Sequence, residues 1–152
     1  MPSDQVKVLL EDESGNRETL WADALGGDLY RLDNRPWYAY GVSCGDVVEA
    51  RPESPGDFPK FVRVVQKSGN RTLRLVLANH ADTDPSAHAI LDQLRSLGCS
   101  YEGANPRFFA VEVPPHVNLD SVSQFLISTG AQWEYADPTY EDLFPEPSEP
   151  AG

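Results

Sequence analysis

The chain has few cysteines and no long apolar run, and each shortage excludes a class of protein. Its 152 residues include only Cys44 and Cys99, which lie in different halves and form no Cys-x-x-Cys pair. This spacing favours two reduced, buried thiols over a disulfide framework. No apolar stretch approaches the ~20 residues of a membrane-spanning helix. The first residues also lack a basic leader followed by an apolar core, so we expect no secretory signal and a cytoplasmic location.

Basic residues are scarce as well. Twelve Lys and Arg stand against 24 Asp and Glu, which gives a net charge of −12. A field of this sign repels nucleic-acid phosphates and anionic lipid headgroups, so we expect neither nucleic acid nor a membrane surface as a partner. The same charge favours a basic protein as partner, because opposite charge speeds the encounter of two proteins.

The first 67 residues have the pattern of short strands separated by turns. Apolar or alternating runs occur at 6–10, 18–25, 29–32, 47–50 and 61–65. Glycine and asparagine, which tolerate positive φ, mark several of the turns. Five short strands with such frequent turns predict a small SH3-like barrel over residues 1–67.

An irregular aromatic segment separates the third and fourth of these strands. Residues 35–44 contain a proline and a glycine, which disfavour a regular strand, together with Trp37, Tyr38 and Tyr40. We expect this segment to pack as a cover over the open side of the sheet that the neighbouring strands form.

From residue 71 to 140 the pattern changes to strands alternating with amphipathic helices. Leu73, Leu75 and Leu77 alternate with other residues and predict a strand with one core face. Further strands are predicted at 99–102, 108–113 and 133–136.

Two helices are predicted from their capping residues and apolar stripes. The first begins after the cap Asp84 and ends before Gly98. The second begins after Asn118 or Asp120 and ends at Gly130. The order of elements is therefore β-α-β-β-α-β, in which both helices lie on one face of a four-stranded antiparallel sheet.

These patterns together predict an α+β chain of two domains. A five-stranded SH3-like barrel at 1–67 is followed by a ferredoxin-like domain at 71–140. The last segment, 142–152, is acidic and rich in proline, so we expect it to be disordered.

Four stretches also carry a resemblance to a known family: they are GNRETLWA, LYRLDN, AYGVSCGDVVEA and KSGNRTLR. They resemble the bacterial family catalogued as domain of unknown function 4265. The resemblance extends to about Tyr140 and leaves out the proline-rich end. It implies a barrel-like first half and a mixed α/β second half, but no functional residue, because the family brings no assigned activity.

Two groups of residues are candidates for chemistry. Imidazoles and carboxylates cluster at a strand-to-helix corner, at His80, Asp82, Asp84 and His88. Their spacing is not that of a zinc motif, and Asp84 is already needed as a helix cap. Cys44 would be a nucleophile only in an electropositive surrounding, which an acidic chain does not favour. We therefore expect no metal site, no cofactor and no enzymatic activity.

The aromatic segment is the better candidate for a binding site. Its rings and the neighbouring arginines give the predicted binding residues Trp37, Tyr38, Tyr40, Arg35 and Arg51. Tyrosine and tryptophan are enriched at protein interfaces, and clustered arginines could attract an anion. Core packing of the rings and surface ion pairs of the arginines are the alternative explanation.

These observations favour one function over two others. The preferred hypothesis is a protein-binding module, immunity-like or adaptor-like, that uses its aromatic barrel surface or the exposed face and edge of its four-stranded sheet. The alternative is a sensor that holds a small molecule at the sheet or helix interface. An enzyme that uses Cys44 or the His80 group is the third.

Overall fold

The computed structural model describes residues 5–146, and within them the chain forms nine strands and three helices. The strands are β1 (Gln5–Glu11), β2 (Arg17–Gly26), β3 (Leu29–Leu32), β4 (Val47–Arg51), β5 (Lys60–Gln66), β6 (Arg71–Val76), β7 (Ser100–Gly103), β8 (Phe108–Val113) and β9 (Gln132–Asp137). The helices are α1 (Pro85–Ser96), α2 (Leu119–Thr129) and α3 (Tyr140–Leu143). None of these helices is long and apolar enough to cross a membrane.

The first five strands close into a barrel. Consecutive strands pair antiparallel, and β1 meets β5 in parallel where Leu9 lies opposite Lys60. Because successive side chains of a strand point to opposite faces, one set fills the interior. This set includes Val8, Leu20, Leu32 and Val48, all fully buried. The prediction of five strands in this part of the chain is confirmed.

The other four strands form an antiparallel sheet in the order β7-β8-β6-β9. Leu75 of β6 and Val111 of β8 pack against Leu94 of α1 and Leu126 of α2. Both helices therefore cover the same face of the sheet. The buried apolar residues of the barrel and of the sheet form two clusters that have no residue in common.

The predicted capping residues fix the ends of both longer helices. Asp84 accepts hydrogen bonds of 2.8 and 3.2 Å from backbone N–H groups in the first turn of α1. Asn118, rather than Asp120, caps α2. Gly98 and Gly130, which follow the two helices, have φ of +103° and +73°, a conformation that glycine adopts without a steric penalty.

The aromatic segment 35–44, here called the strap, packs between the barrel and the four-stranded sheet. Val42 lies in the barrel core, in keeping with the cover that the sequence predicts. The other side of the strap contacts the second face of the four-stranded sheet, opposite the helices. That face was expected to be exposed, but Arg74, at its centre, is only 3% exposed. The strap therefore covers the centre of a face that was one of the two surfaces predicted to bind a partner.

The short helix α3 overlaps the first residues of the segment predicted as a tail. Thr139 caps this helix in a capping box with Asp142, each side chain accepting from the backbone N–H of the other at 3.2 Å. Phe144 follows, with its ring centroid 6.2 Å from that of Tyr135. The predicted tail, 142–152, thus begins inside a helix, and its part from 147 onward lies outside the described residues.

Candidate functional site

The strap contacts the sheet through its aromatic rings and one arginine. The ring centroids of Trp37 and Tyr38 lie 6.0 and 5.9 Å from that of Phe108 on β8. Arg35 donates a hydrogen bond of 2.8 Å to the hydroxyl of Ser100 on β7. These three predicted binding residues therefore make contacts that join parts of the same chain.

Arg74 is the buried polar centre of this junction. Its guanidinium donates hydrogen bonds to the carbonyl oxygen of Ala39 at 2.7 Å and to the carboxylate of Glu134 at 3.1 Å. It also lies 4.6 Å from the ring centroid of Tyr40, whose hydroxyl donates to Glu134 at 2.8 Å. Burial and this hydrogen bond to the carboxylate raise the pKa of Tyr40. The contacts hold Tyr40 beside the edge strand β9.

A second polar cluster holds the end of the strap. The ammonium of Lys67 lies 2.6 Å from a carboxylate oxygen of Asp46 and 2.6 Å from one of Asp137. Ser43 donates to Asp137 at 2.6 Å and shares a hydrogen bond of 2.7 Å with Thr72. Burial lowers the pKa of Lys67, but hydrogen bonds to the two carboxylates outweigh it and the pKa is raised. Because the members bond to each other, we assign this cluster a structural role.

Arg51 does not belong to this region. It lies on β4, where its guanidinium pairs with Asp28 at 3.1 Å and with Glu49 at 2.8 Å. Its side chain is 63% exposed, so these are surface ion pairs of little energetic weight. The structure therefore brings four of the five predicted binding residues together on the strap and leaves Arg51 apart.

A groove with a volume of about 780 Å³ lies at the edge of the sheet, between β9, α2 and α3. We call it the edge groove. It is lined by Tyr40, Asp120, Ser123, Gln124, Ile127, Trp133, Glu134, Tyr135, Thr139, Tyr140, Glu141 and Phe144. Tyr40 is the one predicted binding residue among them.

The walls of the edge groove are rich in aromatic rings. The centroids of Trp133 and Tyr135 lie 4.9 Å apart, and those of Tyr140 and Phe144 lie 5.0 Å apart. Ile127, Tyr140 and Phe144 are each more than half exposed. Single exposed apolar residues are ordinary on a protein surface, but several of them gathered in one groove make it a candidate binding surface.

The groove is also acidic. Asp120, Glu134 and Glu141 line it, and none of the Lys, Arg or His side chains between residues 5 and 146 does. Glu134 is paired with Arg74, whereas Asp120 and Glu141 make no ion pair within residues 5–146. A cation placed here would meet carboxylates and the negative faces of aromatic rings, and both attract it.

This groove was not predicted. Apart from Tyr40, its aromatic residues come from β9, which was predicted only as a strand, and from the segment after it, part of which was assigned to a disordered tail. One available signal was the pattern from Thr139 to Asp142, which has the form of a capping box and predicts a helix start. A helix at this point would have placed Tyr140 and Phe144 beside β9.

The two cysteines have the properties of unreactive thiols. Burial raises the pKa of Cys99 to about 11. Burial, with the nearby carboxylates of Glu112 and Asp33, also raises the pKa of Cys44 to about 11. A thiol attacks as its thiolate, so neither residue is prepared to act as a nucleophile at neutral pH.

The histidine and aspartate side chains around the start of α1 do not converge on one point. His80 lies 4.0 Å from Asp82, and His88 lies 3.3 Å from Asp92 rather than from the other members of the group. Asp84 is engaged as the cap of α1. Within residues 5–146 no three His, Cys, Asp or Glu side chains lie close enough together to hold a metal ion.

The fold and the groove define a mixed α/β protein in which a five-stranded barrel packs beside a helix-covered four-stranded sheet. A crystal structure described as that of a hypothetical protein from Neisseria gonorrhoeae has a similar fold, with a TM-score of 0.68 and 16% sequence identity over 92% of this chain and 97% of that one. The model of the family described as domain of unknown function DUF4265 matches residues 18–135, and the chain belongs to this family. No curated protein matches the chain.

Proposed function

We propose that the chain is a non-enzymatic binding module that holds a basic segment of a partner protein in the edge groove. The observation that carries this proposal is the composition of the groove, which combines five aromatic side chains with three acids and, in the described part of the chain, no basic residue. An immunity-like or adaptor-like protein would use such a groove against a basic partner.

Aromatic and acidic side chains favour the same kind of ligand. Arginine and lysine side chains bind over aromatic faces, and their aliphatic stems can cover apolar surface such as that of Ile127. The net charge of −12 would also steer a basic partner toward the chain over distances beyond direct contact.

The same proposal includes the finer assignment of the fold. The strand order β7-β8-β6-β9, with α1 and α2 on one face, supports a ferredoxin-like domain over residues 71–140. Closure of β1 to β5 supports an SH3-like barrel over residues 1–67. The separate hydrophobic clusters support treating the two parts as domains.

A small-molecule sensor is the second candidate, and the size of the groove favours it. A volume of about 780 Å³ lies within the range of roughly 300 to 1,000 Å³ that is usual for ligand pockets. The ligand would be an aromatic cation. Such a compound would by itself raise the melting temperature of the chain, in the absence of any basic peptide.

Calorimetric titration with a peptide of lysine and leucine tests the principal proposal, with a glutamate and leucine peptide as the control ligand. The test variant carries Asp120→Lys and Glu141→Lys in the groove. The matched control carries Asp57→Lys and Asp92→Lys, two exposed acids that do not line the groove and that change the net charge equally.

We expect the lysine peptide to bind and the glutamate peptide not to bind. The groove variant should lose about tenfold in affinity, since each exposed charge pair contributes roughly 0.2 to 1 kcal/mol, while the control variant should lose much less. Equal losses in both variants would show that only the overall charge matters and would contradict the proposal.

A further inference from the structure

We infer that the partner segment binds in an extended conformation, as an added β-strand along the outer edge of β9. This inference rests on the proposed function and specifies how the edge groove is used. Proteins commonly bind peptides at an open sheet edge, where backbone hydrogen bonds give affinity and side-chain pockets give specificity.

The outer edge of β9 is open over residues 132–135. β9 stands last in the sheet order and pairs only with β6 among the described strands. At the end of β9, Ala136 accepts a hydrogen bond of 2.8 Å from Gly41 of the strap through its carbonyl oxygen, and it forms an isolated bridge with Thr139. Within residues 5–146, no backbone group outside the sheet bonds to positions 132–135.

The groove encloses this open edge rather than one face of the sheet. Trp133 and Glu134 are adjacent in β9 and point to opposite faces, yet both line the groove. Tyr40, from the strap side, and Ile127, from the helix side, line it as well. A segment seated in the groove would therefore run beside the backbone of β9, with walls on both faces.

The walls differ, and the difference specifies the segment. One face offers Trp133, Tyr135 and the side of α2, and the other offers Glu134 with Tyr40. Arg74 already pairs with Glu134, so the acids left for a basic residue are Asp120 on α2 and Glu141 on α3. Because side chains of a strand alternate between faces, the best fit alternates basic residues, whose charges reach these two acids, with apolar residues.

A second copy of the chain fits this edge less well than a basic segment does. Pairing β9 with β9 would place the three acids of one groove against the same three acids of the other. Like charges brought together at an interface are unfavourable. Edge strands that must avoid partners usually carry lysine or proline, and β9, with the sequence QWEYAD, carries neither.

Peptide probes test the added strand while leaving the protein intact. Two peptides of equal length and composition are compared, one with lysine and leucine in strict alternation and one with leucine at helical spacing. Two further versions of the alternating peptide carry backbone N-methyl groups, either on every leucine or on every lysine. Residues of one parity turn their N–H groups toward β9 and those of the other parity turn them toward solvent.

We expect the alternating peptide to bind more tightly than the helical one. One N-methylated version should lose about tenfold or more in affinity, since it lacks the donors that face β9, and the other should bind nearly as the parent does.

If the parent binds but both methylated versions bind equally well, or the helical peptide binds more tightly, the added strand is overturned and the proposed function stands. If no lysine peptide binds, the proposed function fails and the strand with it. A dimer of the chain formed through β9, with no peptide bound, would assign the edge to a second copy and overturn the inference.

Discussion

The two faces of the four-stranded sheet are both buried at its central strand β6, but they are held by different chemistry. On β6, Leu73 and Leu75 face the helices, whereas Thr72 and Arg74 face the strap, and none of the four is more than 3% exposed. The helix face consists of apolar contacts. The strap face is held by hydrogen bonds, ring contacts and ion pairs.

This difference between the two faces shows which parts of the sheet remain accessible to another molecule. An apolar face accepts any helix of suitable shape, but a face with a buried arginine needs partners at fixed positions. The strap supplies them, and it also places Tyr40 beside β9. The centre of the sheet is therefore occupied by the chain itself, and the outer edge of β9 is where we propose that a partner binds.

The largest effect is expected on the apolar face. Leu75→Ala should lower the free energy of unfolding by about 2 to 5 kcal/mol, because it removes buried contacts and leaves a cavity. Urea denaturation measures this loss. Ile127→Ala truncates an exposed side chain of α2, and it should change the free energy of unfolding by no more than about 0.5 kcal/mol. Equal effects would mean that the helix face is not a packed core.

Arg74→Met tests the polar face and should have the next largest effect. The change keeps the apolar stem but leaves buried carbonyl oxygens of the strap without a donor, so we expect a loss of about 1 to 3 kcal/mol. Amide hydrogen exchange should also quicken in residues 35–41. Arg63→Met, which removes an exposed ion pair with Glu49, is the control. Unchanged exchange in the strap would show that Arg74 does not hold it.

Lys67 gives the polar face a dependence on pH. Its pKa is raised above 10.5 in the folded chain, so the stability that it adds is complete below pH 10.5 and is lost as the pH rises through the raised value. The stability difference between the native chain and Lys67→Met should be about 1 kcal/mol at neutral pH, since the ammonium is partly exposed. Denaturation at several pH values should show this difference vanish in alkali. A difference that persists there would mean that the charge is not its source.

Tyr40→Phe should have the smallest effect on stability. It removes one hydrogen bond to Glu134 at a partly exposed position, so we expect a loss of about 0.5 to 1 kcal/mol. Tyr38→Phe is a matched control, because the hydroxyl of Tyr38 makes no hydrogen bond within residues 5–146. Thermal denaturation of the two variants side by side measures the difference in stability. Identical melting temperatures would show that the hydroxyl of Tyr40 does not stabilise the strap face.

The elements of the fold were predictable where each signal is local. Alternating leucines marked β6, and the caps Asp84 and Asn118, with Gly98 and Gly130, marked both longer helices. These patterns act within a few residues of one another, so the sequence carries them without knowledge of the tertiary structure.

The candidate site was not predictable in the same way. The lining of the edge groove comes from the strap, α2, β9 and α3, which are far apart in sequence. In a sequence, an arginine that will be buried looks the same as one on the surface until its partners are known. The polar residues that alternate with Leu73 and Leu75 therefore predicted an exposed face. The carbonyl oxygens that bury Arg74 belong to residues about 35 positions away.

Amide NMR of the labelled chain during titration with the alternating lysine and leucine peptide tests the central claim most directly. We expect shifts at residues 132–135, with smaller ones in α2, in α3 and at Tyr40. Shifts confined to the barrel strands, or a spectrum that does not change at peptide concentrations well above those that saturate the calorimetric signal, would contradict the assignment of the edge groove as the binding site.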